Sequence, residues 1–195
     1  MPTFTCRDCG APFSLPEAVL ARYPGWTPAR CRDCRDASRR SSRRPASALG
    51  SGPATGVFTD GGASPNPGPG GWGAVHVVDD EIVAEAYGHE DHTTNNRMEL
   101  TALLHALELV PVGTPATVYS DSNLAVRTIN EWAAGWKRRG WRRKTGPVEN
   151  LDLVEAVYEG FRARPELELV WVKAHAGIRW NEYADALANR WRLEG

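Results

Sequence analysis

The chain has 195 residues, 42% of them hydrophobic, with a formal net charge of −1. That length allows one large domain, or a medium domain with a small attachment, and the hydrophobic content is ordinary for a globular protein. The sequence has no basic leader followed by an apolar stretch and no apolar run of roughly 18 residues, which argues against secretion and membrane spanning and makes a reducing cytoplasm the expected setting.

The near-neutral total hides an asymmetry. Residues 1–50 carry nine Arg against four Asp/Glu (+5), whereas 51–195 carry fourteen Lys/Arg against twenty Asp/Glu (−6). An acidic domain binds polyanions poorly unless its carboxylates hold cations and its basic residues are gathered in one place.

All four cysteines lie within the first 34 residues, as Cys6-x₂-Cys9 and Cys31-x₂-Cys34. Two paired knuckles across so short a span suggest a metal site, because the segment is too small to fold on core burial alone. One tetrahedral Zn²⁺ would supply the missing stability; redox-active thiols are the alternative. The expected organisation is a zinc-binding module over 1–36, an Arg/Ser/Gly/Pro-rich flexible linker over 37–54, and a main domain over 55–195.

In the main domain, Val57-Phe58-Thr59 predicts a strand that ends at Asp60-Gly61-Gly62, and 73–78 with 82–87 predict a hairpin. Helical spacing over 95–110 stops at Pro111. A strand over 116–119, helices over 122–131 and 150–164, a strand over 167–172 and a helix over 181–192 follow. This is an α/β order, implying a mixed sheet with an antiparallel hairpin, right-handed parallel crossovers and helices on both faces.

Ligand crevices in such sheets lie beyond the carboxyl ends of the parallel strands, where Thr59-Asp60 and Ser120-Asp121 sit. With Glu99 and Asp185 from two helices, these make an all-oxygen set that suits Mg²⁺ or Mn²⁺ better than zinc. Two such ions could activate a water and stabilise the leaving oxygen of a phosphodiester. Each residue also has a plainer role: Asp60-Gly61 as a turn, Asp121-Ser122 as a helix cap, Glu99 as a solvated helix residue, and Asp185 as a complement to the helix dipole.

The local strings around these residues resemble the type 1 ribonuclease H family over almost all of 55–192. They are Phe58-Thr59-Asp60-Gly61-Gly62, Asn66-Pro67-Gly68-Pro69-Gly70-Gly71-Trp72-Gly73, Thr94-Asn95-Asn96-Arg97-Met98-Glu99-Leu100, Ser120-Asp121-Ser122, Trp171-Val172-Lys173-Ala174-His175-Ala176-Gly177 and Asn181-Glu182-Tyr183-Ala184-Asp185. The resemblance implies a five-stranded mixed sheet ordered 3-2-1-4-5, and cleavage of the RNA strand of RNA/DNA hybrids to 3′-hydroxyl and 5′-phosphate ends. It further implies two Mg²⁺ (or Mn²⁺) ions on Asp60, Glu99, Asp121 and Asp185, with Asp60 shared between them, and a proton-moving or product-releasing role for His175.

By the same resemblance, Gly61, Gly62, Asn95, Asn123 and Glu99 line the RNA side, where the 2′-hydroxyl distinguishes RNA from DNA. Asn123 stands where a close relative has the longer Gln. Asn66 and Thr94 resemble the family's phosphate-pocket residues on the DNA side. The segment 132–144 resembles its basic protrusion, with Trp132, Trp136 and Trp141 interleaved among cations that include Lys137, Arg138 and Arg139. Cations there would supply salt-dependent affinity for phosphates; the indoles could meet sugars or bases, or pack the segment onto its own helix. A monomer with no membrane partner is expected, with a further nucleic-acid or protein partner possible through the N-terminal module and its Arg-rich tail. A hybrid-binding adaptor without cleavage, or DNA strand transfer on the same fold, are the competing functions.

Overall fold

The computed structural model describes residues 2–21, 27–32, 34 and 52–193, so the part of the expected linker up to residue 51 lies outside the described residues. The chain divides into two compact units, Met1–Leu49 and Gly50–Gly195.

In the first unit β1 (Thr3–Thr5) pairs antiparallel with β2 (Pro12–Ser14), setting Phe4 opposite Phe13, and a short α1 (Glu17–Ala21) follows. No residue of α1 is buried. The buried side chains of this unit include Cys6 and Cys31, so its interior is built around sulfur, as expected for a segment too small for an apolar core.

The second unit runs β3 (Gly56–Ala63), β4 (Gly68–Val78), β5 (Glu81–Thr93), α2 (Asn95–Leu109), β6 (Ala116–Ser120), α3 (Asn123–Arg127), a π-helical turn (Thr128–Trp132) and α4 (Ala133–Arg138). It continues through a small hairpin, β7 (Arg142–Arg143) with β8 (Gly146–Pro147), then α5 (Leu151–Ala163), β9 (Leu167–Trp171), α6 (Arg179–Ala188) and a 3₁₀ turn (Arg190–Leu193). The sheet order is β5-β4-β3-β6-β9, with β3–β5 antiparallel and β3, β6 and β9 parallel. Numbered within this five-stranded sheet, that is the expected 3-2-1-4-5.

Alternation along the strands feeds two cores. Val57, Val118 and Leu169 join Leu103, Leu107 and Val157 of α2 and α5 on one face. Phe58, Val75 and Val77 join Trp180, Ala184 and Leu187 of α6 on the other. Helix α6 approaches β4 so closely that a Cβ on Gly73 would stand 2.6 Å from the Ala184 carbonyl oxygen. Among the described residues, no helix is long and apolar enough to cross a membrane.

Several boundaries differ from the expectation. Strand β3 continues through Asp60 to Ala63, because β4 pairs with it that far. The outermost strand, β5, extends past Tyr87 to Thr93; with one edge and much of one face in solvent, it accommodates Glu90, Asp91 and His92. The helix expected to end at residue 131 passes through the π-helical turn into α4.

Candidate active site and cysteine cluster

The last parallel pair between β3 and β6 is Thr59 opposite Ser120. The next residues, Asp60 and Asp121, are therefore neighbours. Strand parity puts them on the side of Phe58 and Tyr119, the face that α6 covers, and α6 carries Asp185. Glu99 comes from α2, over the opposite face. Gly61 permits that approach, since a Cβ there would meet the Met98 carbonyl carbon at 2.3 Å and the Glu99 nitrogen at 2.5 Å.

Electrostatics ties the four together. Asp60 is pushed up to about 8, first by burial and then by the charges of Asp121 and Asp185, with Glu99 adding to them; the Gly61 N–H opposes the rise. Glu99 is raised to about 7, again chiefly by burial, with a hydrogen bond from Ser122 opposing and the charge of Asp121 adding.

Each carboxylate is held by a neutral donor. Gly61 N–H donates to Asp60 Oδ1 (2.6 Å), the Ser122 hydroxyl to Glu99 Oε2, Asn181 Nδ2 to Asp121 Oδ2 (3.0 Å) and Asn189 Nδ2 to Asp185 Oδ1 (2.8 Å). Among the described residues none of the four forms an ion pair with Lys, Arg or His. Four neighbouring carboxyl groups, oriented by neutral donors and unpaired with protein cations among the described residues, are a donor set that hard divalent cations fit.

Three of these donors, Ser122, Asn181 and Asn189, are not marked as site residues by the sequence. Ser122 is legible there only as a helix cap, and its side chain does accept from Ala125 N at 3.2 Å. Asn181 lies inside a recognisable string, yet nothing in that string reveals that its partner is Asp121, sixty residues away.

The remaining predicted residues group around this cluster. Thr94 caps α2 by accepting from Arg97 N, Asn66 Oδ1 accepts from Asn95 N, and Asn95 Oδ1 accepts from Ala63 N at the end of β3. Gly62 beside them has only Asn95 Oδ1 near its Cβ direction, at 3.9 Å, so that side of the strand is open. Asn123 opens α3 and is exposed, and His175 sits in an exposed turn before α6 with a left-handed φ of 50°.

In the protrusion, Trp132 and Trp136 are in tilted contact at 6.0 Å, and Trp141 meets Tyr158 edge-on. Trp136 and Trp141 pack against the core. Trp132 and Trp136 also line a groove with Asn96, Glu99, Leu124 and Arg143, which runs from the carboxylate cluster to the protrusion. Lys137 pairs with Glu159 and Arg143 with Glu149. Arg138, Arg139, Arg142 and Lys144 are exposed.

In the first unit the potential ligand atoms of Cys6, Cys9, Cys31 and Cys34 all lie within 4.8 Å of one another, the one such cluster among the described residues. The carboxylate oxygens do not meet that spacing. The Cys9 and Cys31 sulfurs are 3.6 Å apart, and all four cysteines are unbridged. A hydrogen bond from the Cys31 main chain pulls the Cys6 thiol down to about 6, whereas the Cys9 and Cys31 thiols push Cys34 up. Crowded sulfur of this kind suits a tetrahedral cation.

The family model described as RNase H matches residues 53–192. Among curated relatives, a "Ribonuclease H" of Methylorubrum extorquens is 48% identical over 138 residues, 71% of this chain, and this chain spans 60% of that protein's length. A "Ribonuclease H" of Aromatoleum aromaticum is 48% identical over 135 residues, covering 69% of this chain and 87% of that protein. Of solved structures, LC11-RNase H1 in complex with RNA/DNA hybrid is similar at 27% identity with a TM-score of 0.55, over 69% of this chain and 93% of the other.

Proposed function

The chain belongs to the RNase H family of divalent-metal-dependent ribonucleases, and from that premise we propose that it hydrolyses the RNA strand of RNA/DNA hybrids endonucleolytically, by a two-metal-ion mechanism leaving 3′-hydroxyl and 5′-phosphate ends. The observation that carries this reading is the set of four carboxylates, each oriented by a neutral donor and none paired with a cation among the described residues. A pure binding module would gain nothing from that repulsion.

Asp60, Glu99, Asp121 and Asp185 would hold two Mg²⁺ or Mn²⁺ ions, with Asp60, which feels the other three charges, as the shared ligand. Bound there, the cations would supply an activated water and charge stabilisation for the leaving oxygen. His175, exposed in its turn, would carry a proton during product departure. Gly61, Gly62, Asn95, Asn123 and Glu99 would read the RNA strand through its 2′-hydroxyls. Asn66 and Thr94 would take a DNA phosphate, and Trp132, Trp136, Trp141, Lys137, Arg138 and Arg139 would support the DNA strand along the protrusion. A similar protein is captured on an RNA/DNA hybrid, which favours this substrate over a DNA duplex.

The N-terminal module would hold one Zn²⁺ on Cys6, Cys9, Cys31 and Cys34, and the net positive charge of residues 1–50, most of it in the Arg-rich segment that follows the module, would add affinity for nucleic acid. We further propose that the protein acts in the cytoplasm as a monomer, with the module over 1–36, the linker over 37–54 and the nuclease domain over 55–195.

Labelled hybrid, DNA duplex and RNA duplex, each incubated with and without Mg²⁺, test the reading. Cation-dependent cutting of the RNA strand of the hybrid is expected; hybrid binding without cutting would favour an adaptor. Deleting residues 1–50 should raise KM for the hybrid and flatten its salt dependence, and unchanged kinetics across salt concentrations would remove the module's nucleic-acid role.

A further inference from the structure

Glu99 differs from the other carboxylates in its support. It projects from α2, which packs on the opposite face of the sheet, and it has three side-chain torsions to be fixed. We propose that Ser122 is the positioning residue for Glu99, setting the direction of its carboxylate from a hydroxyl that the start of α3 holds in place.

Ser122 is buried, at 6% exposure. Its Oγ accepts from Ala125 N at 3.2 Å, which occupies a lone pair and leaves the hydroxyl hydrogen for Glu99 Oε2. The segment carrying it is fixed from several directions. Ser122 N donates to Ser120 Oγ (3.2 Å), Trp171 Nε1 donates to the Asp121 carbonyl (3.0 Å), and Asn181 holds the Asp121 side chain. The hydroxyl is therefore a rigid reference point on the β6 end of the site, and through it a carboxylate on α2 is registered against Asp121. It takes one Glu99 oxygen and leaves the other for a cation. Because the donor is neutral, it does not cancel the charge that Glu99 carries once deprotonated.

This inference rests on the nuclease reading, and the test separates the two. Ser122→Ala, Ser122→Gly and Ser122→Thr are made in the full chain. Wild-type cleavage of hybrid checks the nuclease reading; Mn²⁺ binding to the protein alone, followed by calorimetry, checks Ser122 without catalysis. In the Ala and Gly variants kcat is expected to fall roughly 10-fold and the Mn²⁺ Kd to rise by about the same factor, while KM for hybrid stays within about twofold. Gly keeps most of the capping free energy that Ala loses, so equal defects in both separate positioning from capping. Thr, retaining the hydroxyl, should stay within about threefold of wild type. Unchanged kcat and Mn²⁺ affinity in Ala and Gly, or losses that follow melting temperature so that Gly resembles wild type, would overturn the proposal. So would a Thr variant that melts like wild type but performs like Ala. If the added methyl lowers the melting temperature of the Thr variant, the Ala/Gly comparison decides alone.

Discussion

Asn181 donates its side-chain amide to Asp121 Oδ2 at 3.0 Å, and only 3% of the asparagine is exposed. Helix α6 thus orients a carboxylate at the end of β6 without neutralising it. Asp121→Asn preserves size and still offers an oxygen to that amide, but removes the charge. We expect its kcat to fall on the order of 10³-fold, with melting temperature and hybrid affinity near wild type. Single-turnover cleavage beside a direct binding titration measures this; wild-type turnover in the variant would contradict the assignment.

The pH dependence follows from Asp60 and Glu99, whose values are raised from 3.8 to about 8 and from 4.5 to about 7. A carboxyl raised in the folded state keeps its proton where the unfolded chain has released one, so it weakens folding as pH rises across that window. For the cation-free protein, these two groups should lower stability from about pH 4 to about pH 8. Cations compete with those protons, so the gain in melting temperature from added Mn²⁺ should be larger at about pH 8.5 than at about pH 6. Thermal denaturation with and without Mn²⁺ at both values is the measurement; an equal or smaller gain at the higher pH would argue against cation binding at these two carboxylates.

Asp60 and Asp121 are legible in the sequence because each follows a short β-rich run, and the crevice of an α/β sheet lies at that end. Glu99 and Asp185 are legible only through the strings around them, since a carboxylate on a helix is ordinarily a solvated one. The donor to Asp185 is local, Asn189 four residues on, but nothing local identifies those of Glu99 and Asp121: Ser122 reads as a cap whether or not Glu99 lies opposite, and Asn181 meets Asp121 only after the sheet has formed. The extension of β5 is hidden for a different reason. Alternation is weakly marked on a strand whose outer face meets water, so Glu90-Asp91-His92 reads as a loop. Arg164 is likewise indistinguishable from a surface cation at the end of a helix.

That arginine should matter for stability rather than chemistry. Its guanidinium donates to the carbonyls of Leu107 (2.6 Å), Val110 (2.9 Å) and Pro111 (2.8 Å), at and just past the end of α2, and pairs with Glu166. Arg164→Ala would leave three carbonyls short of a donor and one carboxylate unpaired, a cost of about 3 kcal/mol. Lys lacks the planar fork and should recover less than half of it. Urea denaturation should give lower midpoints with an unchanged slope, and a wild-type midpoint for the Ala variant would refute the capping role.

The cysteine cluster predicts one zinc per chain, measurable by elemental analysis of the purified protein. Cys9→Ser should reduce the zinc content to well below one while leaving Mg²⁺-dependent cleavage by the nuclease domain in place, because the two units have separate interiors. A zinc content unaffected by the substitution would show that the metal sits elsewhere.

Within the protrusion, cations already paired inside the protein should contribute less to substrate than unpaired ones. Lys137 is engaged by Glu159, whereas Arg138 and Arg139 are exposed and take no ion pair among the described residues. Arg138→Gln/Arg139→Gln should therefore raise KM for hybrid and lower the slope of log KM against log salt by about 0.9 for each phosphate no longer neutralised. Lys137→Gln should change that slope less, and should cost stability because Glu159 is left without its cation. Trp136→Ala should also destabilise the fold, since that indole packs on the core as well as lining the groove beside Glu99. Measuring KM at several salt concentrations, with melting temperature in parallel, separates these effects. A Lys137→Gln slope change equal to that of the double variant would mean that the Glu159 pair opens to let the lysine meet the DNA strand.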